Sequence, residues 1–292
     1  MTTAYAAVIV LHESRDELAA LLGSLDRAGE RPELIVVDTG RDDGAARLAA
    51  ARGARVLERR DNPGFGAATN LGLEHVSSDV TVLLNPDCEV HDDALTRLAR
   101  IARDHPRALH APRLLNGDGS IQRSAHPQPA TLGALIPALI PSSLLPSAVR
   151  VRAEPFRAHR PTTVGWAVGA CLAAATHTLS TLGPFDPSIH LFAEDMDLGL
   201  RARAQGIPTV LHPQIALTHH GGHSVNRGGE PFAALAKTRR EVIARRLGRR
   251  AARRDDLAQA LTFAVRAPIR PRARRQLAAL KRRDPGENPG RG

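Results

Sequence analysis

Over its first hundred residues the chain alternates short apolar runs of β-branched character with longer stretches whose apolar residues recur at helical spacing. Tyr5 to Leu11 reads as a strand, and Ser14-Arg15-Asp16-Glu17 has the form of a capping box opening a helix to about Ala28. Leu34-Ile35-Val36-Val37 is a second buried strand ending on Asp38, followed by a helix from about Gly44 to Ala51 and a short strand, Arg55 to Glu58. A Gly-rich turn, Asp61 to Asn70, runs into a helix to Val76. Val80 to Leu84 is the fourth strand, and Asp92 and Asp93 are placed to cap the helix after it. This strand stops at Asn85-Pro86-Asp87, where Pro86 fixes φ and removes a backbone donor, so the turn that presents Asp87 is stiff. Four strand–helix alternations predict an α/β fold with a mainly parallel, doubly wound sheet. Ligands of such sheets sit outside the carboxyl ends of the strands. Asp38 alone reads as a turn cap; with Asp87 at the end of a second strand, the two together read as a binding edge.

The alternation stops between Pro112 and Arg160. Asn116-Gly117-Asp118-Gly119 is a hairpin signal, and residues 127–150 are rich in Pro and aliphatics, which fits either a packed loop or a mobile flap touching lipid. Val164 to Ala175, with the chain's one tryptophan, Trp166, resumes the sheet, and Leu182 to Asp186 is a turn. Glu194-Asp195-Met196-Asp197 then precedes a helix that Gly206 closes. Carboxylates are favoured at a helix N-terminus, but three acids in four residues exceed what a cap requires. Thr209–Leu211 and Ile215–Thr218 read as short strands leading to a His-rich turn, His219-His220-Gly221-Gly222-His223-Ser224, a candidate metal or phosphate contact.

Composition narrows the class. With 292 residues, 42% hydrophobic and 24% charged, the chain has room for one large α/β domain plus a tail. Cys88 and Cys171 stand in no metal-binding spacing, which argues against a disulfide framework. No secretory pattern opens the chain and no apolar run reaches the ~20 residues of a membrane span, so a cytoplasmic location is the expectation. The net charge of +10 is uneven: from Lys237 onward there are 18 Lys/Arg against 5 Asp/Glu, leaving residues 1–236 at −3. Gly64-x-Gly66-x-x-Thr69 lacks the third glycine of a dinucleotide fingerprint and follows the third strand, not the first, so NAD(P) binding is set aside.

Taken in order, Val36-Val37-Asp38, Asn62-Pro63-Gly64-Phe65-Gly66-Ala67-Ala68-Thr69-Asn70, Leu84-Asn85-Pro86-Asp87, Gly169-Ala170-Cys171-Leu172, Phe192-Ala193-Glu194-Asp195-Met196-Asp197-Leu198 and His219-x-x-Gly222-x-Ser224 form a specific set. Over residues 5–245 it resembles the family 2 inverting glycosyltransferases of the GT-A fold, in particular their rhamnosyltransferase-like branch. The resemblance implies a Rossmann-like, mainly parallel mixed sheet with helices on both faces. It implies a nucleotide-binding half over about 1–110, an acceptor half over about 111–236, and a basic helical tail over 237–292. It implies that Asp38 bonds the nucleotide base and that Asn62, Gly64, Phe65, Gly66, Asn70, Asn85, Asp87 and Trp166 surround the nucleotide-sugar. It gives Asp195 the role of general base, with Glu194 beside it, and Asp87 and His219 those of Mg²⁺ or Mn²⁺ ligands. The sequence departs from the family's Asp-x-Asp motif at Asn85, which removes one anionic metal ligand; Mg²⁺ typically takes only one or two carboxylates plus substrate phosphates.

The implied donor is dTDP-rhamnose, with UDP- and GDP-sugars as alternatives, and the implied acceptor is a polyprenyl-diphosphate-linked or other cell-wall or surface-polysaccharide glycan. A non-catalytic sugar-nucleotide-binding paralogue is the competing reading. The arginines from Arg239 to Arg254 interleave with Val242, Ile243 and Leu247 and predict a strongly basic helix. An anionic membrane surface is its expected partner, placing the protein peripherally on the inner face of the cell membrane; a solvated extension is the plainer reading. Nucleic acid is not expected, since no aromatic interleaving or known binding module accompanies the charge.

Overall fold

The computed structural model describes residues 5–131, 144–183, 185–189, 191–221, 232–268 and 270–281, with Ala134, Ile136 and Ile140 between the first two segments. The expectations for Gly222, His223, Ser224 and the chain beyond Lys281 lie outside the described residues, as does part of the Pro-rich segment.

Strand β1 (Ala6–Leu11), helix α1 (Arg15–Arg27), β2 (Glu33–Asp38), α2 (Ala45–Ala51), β3 (Arg55–Glu58), α3 (Phe65–Leu73) and β4 (Val80–Leu84) follow in the expected order. β5 (Cys88–Val90), α4 (Ala94–Asp104), β6 (Leu109–Leu115), β7 (Ala125–His126), α5 (Ser147–Ala153), a 3₁₀ turn (Pro155–Arg157), β8 (Thr162–Val164), β9 (Trp166–Ala167), β10 (Cys171–Ala175), α6 (Thr176–Leu182), α7 (Glu194–Ala204) and β11 (Thr209–His219) continue the chain. Three C-terminal helices close it: α8 (Phe232–Leu247), α9 (Arg249–Arg266) and α10 (Pro271–Lys281).

Nine of the strands form one sheet along the path β3-β2-β1-β4-β10-β6-β11-β5, with β8 pairing β11 as well. β3, β2, β1 and β4 run parallel, β10 is antiparallel to both β4 and β6, and β6 and β11 are parallel. The sheet is thus mixed and mainly parallel, as expected. Side chains alternate between its faces. Ala7, Ile9, Val36, Val82 and Leu84 join the leucines of α1 and α4 in one core, while Val8, Ile35 and Leu83 join Leu179, Leu182 and Leu198 of α6 and α7 in the other. Helices therefore cover both faces. The parallel arrangement brings the ends of β2, β4 and β11 to one edge, and antiparallel β10 starts there.

Several local expectations need correction. Ser14 makes no capping bond to α1; its hydroxyl donates to the His12 carbonyl and accepts the His12 N–H instead. Asp93 makes no capping bond to α4 either. α3 stops at Leu73, not Val76. The run Val164–Ala175 is broken into three strands; at the first break, Gly165, the backbone passes so close to Gln128 that a Cβ would lie 2.2 Å from its nitrogen. The two short strands before His219 are one strand with an irregularity between His212 and Ala216. The Asn116–Gly119 turn forms as expected, with the Gly119 N–H on the Asn116 carbonyl at 2.9 Å.

The basic stretch is helical, as expected, and forms α8, α9 and α10. Residue 236, where the charge changes, lies inside α8. Val242 and Ile243 of that helix are fully buried against Ile189, Met196 and Leu200 in a third core, each contributing about 1.5–3 kcal/mol of apolar burial. Arg246 donates to the buried Asp197 carboxylate at 2.7 and 3.2 Å, beside Arg201 at 2.8 Å. Much of the charge in α8 is therefore consumed by packing against the body.

Candidate active site

The site is built along the shared strand edge. Asp38, 1% exposed at the end of β2, accepts the Gly40 N–H at 3.1 Å and Arg60 at 3.2 Å. Burial raises its pKa against the lowering effect of those two partners. After β3, Asn62 sits in the left-handed region at φ 43° and Gly64 at φ 92° leads into α3. Phe65 and Phe185 meet edge to face at 6.2 Å between centroids. Gly66 allows that approach, because a Cβ there would lie 2.8 Å from the Phe185 Cβ. Asn70 bonds both backbone groups of Phe185, at 2.8 and 2.7 Å, so its amide acts on the site through Phe185.

At the end of β4, the Asn85 N–H donates to the Ala170 carbonyl at 2.8 Å, tying the turn to the start of β10. Two residues on, an Asp87 carboxylate oxygen lies 3.3 Å from Nε2 of His219, at the end of β11. The other ring nitrogen, Nδ1, is 2.9 Å from Oε1 of Gln122, whose amide nitrogen donates to the His219 carbonyl. Because Oε1 can only accept, Nδ1 carries the proton, and in the neutral ring the Nε2 lone pair faces the Asp87 carboxylate. Two electron-pair donors this close fit a cation between them. Among the described residues no cluster of three His, Cys, Asp or Glu surrounds a point, so substrate phosphates would have to complete the shell, as Mg²⁺ allows. Sequence reasoning missed Gln122; it carries no local signal, since its partner is 97 residues away.

Glu194 and Asp195 open α7, and the backbone delivers them through two consecutive left-handed residues, Phe192 (φ 70°) and Ala193 (φ 63°). Such conformations cost about 1–3 kcal/mol each in non-glycine residues and cluster at functional sites. One Asp195 oxygen accepts the Met196 N–H at 2.7 Å and the other the Gly169 N–H at 3.2 Å. Burial raises the pKa of both carboxyls, and the Asp195 charge raises Glu194 further, while the two N–H bonds favour charge on Asp195. Asp197, the third acid of the cluster, belongs to the Arg201–Arg246 network and not to the site.

Both carboxylates face a cavity of about 710 Å³, within the usual range of small-molecule sites. Phe65, Asn85 and Trp166 line it too. Asn85 Oδ1, Trp166 Nε1 and Glu194 Oε2 are buried without a hydrogen-bond partner among the described residues, and buried polar atoms rarely remain so unless a ligand or water meets them. Trp166 stacks on His126 at 4.2 Å, and burial holds that imidazole neutral with its pKa lowered to about 3. Asp38, Asn62, Gly64, Gly66, Asn70, Asp87 and His219 are not among the cavity walls. The opposite wall comes from the C-terminal helices, by Leu235 and Arg239 of α8, Asp255, Thr262 and Phe263 of α9 and Leu280 of α10. The sequence reading left these out. Their signal was present as helical spacing, since Asp255, Ala258, Gln259, Thr262, Phe263 and Arg266 fall on one face of α9.

The sequence profile described as "Glycosyl transferase family 2" matches residues 6–159. The N-acetylglucosaminyl-diphospho-decaprenol L-rhamnosyltransferase of Mycobacterium tuberculosis is 30% identical over 256 residues, covering 81% of each chain. The chain belongs to glycosyl transferase family 2. A hexosyltransferase of low-salt glycan biosynthesis, Agl10 of Haloferax volcanii, is 23% identical over 68% of this chain and 62% of its own. GalNAc-T7 with UDP, GalNAc and Mn²⁺ superposes at a TM-score of 0.61 and 17% identity, over 82% of this chain and 48% of that one. The mannosyltransferase PcManGT of Pyrobaculum calidifontis, in complex with GDP-Man and Mn²⁺, superposes at 0.58 and 14% identity, over 95% and 79%. These structures show the GT-A fold for this family 2 member. The chain is a nucleotide-sugar-dependent glycosyltransferase.

Proposed function

We propose that this glycosyltransferase moves rhamnose, with inversion, from dTDP-rhamnose to a hydroxyl of a polyprenyl-diphosphate-linked acceptor used in cell-wall or surface-polysaccharide synthesis. The observation that carries the catalytic part is the Asp195 carboxylate, fixed by two backbone N–H groups on the wall of a cavity with room for an acceptor sugar. The donor and acceptor are taken from the mycobacterial relative, whose name gives its own acceptor and sugar.

Asp195 accepts the proton of the acceptor hydroxyl as that oxygen bonds to the anomeric carbon. The bond from that carbon to the donor phosphate breaks on the opposite face, and its electron pair leaves with the nucleoside diphosphate. Positioned general-base catalysis is worth ~10²–10⁴-fold. Glu194, Asn85 and Trp166 offer their unpaired polar atoms to sugar hydroxyls. Asp38 holds the base, and the Asn62–Asn70 turn shapes the donor pocket, so that residues up to about 110 serve the nucleotide and those from 111 the acceptor. Asp87 and His219 would hold Mg²⁺ or Mn²⁺, which supplies positive charge for the departing diphosphate.

The protein works at the inner face of the cell membrane. No helix among the described residues is long and apolar enough to cross a membrane. The outer face of α9 instead exposes Leu257 (59%), Leu261 (36%) and Val265 (64%) one turn apart, continuing a face with Arg250 and Arg254. Apolar residues beside arginines suit the boundary of an anionic bilayer, where each arginine is worth ~1 kcal/mol.

A thermal-shift panel of nucleoside diphosphates and nucleotide-sugars, with and without Mg²⁺ or Mn²⁺, tests the reading. We expect dTDP and dTDP-rhamnose to stabilise the protein most, metal to add to the shift, and Asp87→Ala to abolish that addition. No shift with any nucleotide would sink the enzyme reading in favour of a non-catalytic one.

A further inference from the structure

The catalytic cavity has a cationic corner that donor binding and proton transfer leave unused. Glu154, nearly buried at the end of α5, takes Arg123 on one carboxylate oxygen at 3.4 Å and Arg157 on the other at 2.6 Å. Both guanidiniums also lie against the ring of Phe156, at 5.5 and 5.2 Å from its centroid. From the facing side α9 brings Arg266, which lines the cavity together with Arg123, Glu154 and Phe156. Burial and the positive charges of Arg123 and Arg270 depress the Arg266 pKa, and Glu154 opposes them only in part. Several guanidiniums thus converge on the neighbourhood of one carboxylate.

This corner is rigidly linked to the general base. The Ser124 carbonyl, next to Arg123, accepts the Val168 N–H at 2.8 Å, and the following N–H, of Gly169, holds Asp195. The same cavity reaches the donor edge at Phe65 and Asn85, while Asp87 and His219 stand outside its walls. Beside the arginines the wall is apolar, formed by Phe156, Phe263 and Leu280. Arginine pairs favour phosphate oxygens, which they meet with two donors each.

We propose that Arg123 and Arg266 form a second phosphate site in the catalytic cavity, which binds the diphosphate ester of the lipid-linked acceptor while Phe156, Phe263 and Leu280 receive its first prenyl carbons. The assignment rests on the acceptor class inferred above. It gives the C-terminal helices a part in substrate recognition in addition to any contact with lipid. The acceptor sugar then extends from this anchor toward Asp195.

Farnesyl diphosphate and inorganic pyrophosphate are the probes, titrated into the full chain by calorimetry without any donor, so that the outcome does not depend on turnover or on which nucleotide binds. Farnesyl diphosphate is expected to bind more tightly than pyrophosphate. The Arg123→Gln/Arg266→Gln double variant should weaken farnesyl diphosphate at least 10-fold while keeping the thermal shift given by dTDP with Mg²⁺. Should the double variant not fold, each single variant should weaken binding severalfold. Glu154→Gln, which removes the competing carboxylate, should bind at least as well as wild type. Unchanged affinity in the arginine variants would overturn the site, and so would an equal loss in Glu154→Gln or competitive displacement by dTDP with Mg²⁺. Flotation with phosphatidylglycerol vesicles separates the two sources of phosphate: arginine-dependent flotation without farnesyl diphosphate binding would mean a bilayer-surface site and would also overturn the proposal.

Discussion

Arg239 of α8 grips Asp255 of α9 with two hydrogen bonds, at 2.7 and 2.9 Å, in the wall of the cavity that Asp195 faces. The pair joins two C-terminal helices and also acts on the catalytic carboxyl, because the Arg239 charge lowers the Asp195 pKa. Asp255 is nearly fully buried, whereas a quarter of the Arg239 side chain remains exposed. Asp255→Ala should therefore cost about 2–3 kcal/mol, below the ~3–5 of a fully buried pair. It should also leave the Arg239 charge less balanced and move the acid limb of the activity profile to lower pH. Thermal denaturation checks the first effect and a pH–rate profile the second; a limb that stays in place would mean that the pair is purely structural.

Asp195→Asn keeps the shape of the side chain and removes its basicity. Turnover should fall ~10²–10⁴-fold, while the thermal shift given by nucleotide and metal stays at the wild-type value, since the donor edge is built from other residues. An active Asp195→Asn protein would dismiss Asp195 as the base.

The raised pKa values of the acidic pair set two pH dependences. Asp195 works as a carboxylate, and burial lifts its pKa. Activity should therefore be lost as pH falls while still above ~3.9, the ordinary aspartate value. Glu194 affects stability with the opposite sign. Its folded pKa is raised, so the folded state holds the proton more tightly than the unfolded one, and the charged form costs stability at higher pH. Glu194→Gln should raise the melting temperature at neutral and alkaline pH. The gain should grow from the unfolded glutamate value of ~4.3 up to the raised folded value and vanish below that range. A gain independent of pH would show that the Glu194 pKa is the same in the folded and unfolded states, so that burial does not raise it.

The contrast between Asp87 and Arg266 shows what the sequence could carry. Asp87 follows a strand of five buried residues, four of them apolar, so period, burial and sheet edge could all be read locally, as they could for Asp38 and for the Glu194-Asp195 pair. The partners that give these residues their chemistry come from distant segments, and no local pattern announces them: Gln122 for His219, Gly169 for Asp195. The C-terminal helices were read through their charge, which is large, and not through their spacing, which is regular. Arg239, Arg240 and Arg246 read as a basic face for an anionic membrane surface or, more plainly, for solvent, yet each finds a carboxylate, in Asp255, Asp256 and Asp197. A helix whose cations are matched by acids on its neighbours is a packed element, and the total charge hides that.

Trp166 is held in the cavity wall by the absence of a side chain. Gly199, in the second turn of α7, lies so close to β9 that a Cβ would fall 2.7 Å from the Trp166 Cβ and 3.1 Å from its Cα. The clash is with atoms at the root of the indole, so a change of rotamer cannot relieve it. Gly199→Ala must push β9 away from α7, unstacking Trp166 from His126 and loosening the strand that leads to Gly169, which holds Asp195. Overpacking of this kind typically costs 1–3 kcal/mol, offset in part by the better helix propensity of alanine, ~1 kcal/mol. We expect a small loss of stability and a larger loss of activity, roughly 10-fold or more in kcat/KM, as displacement of a positioned group by about 1 Å can produce. Tryptophan fluorescence, which reports the chain's one tryptophan, should shift with the substitution. An unchanged spectrum with lowered activity would place the effect elsewhere in α7.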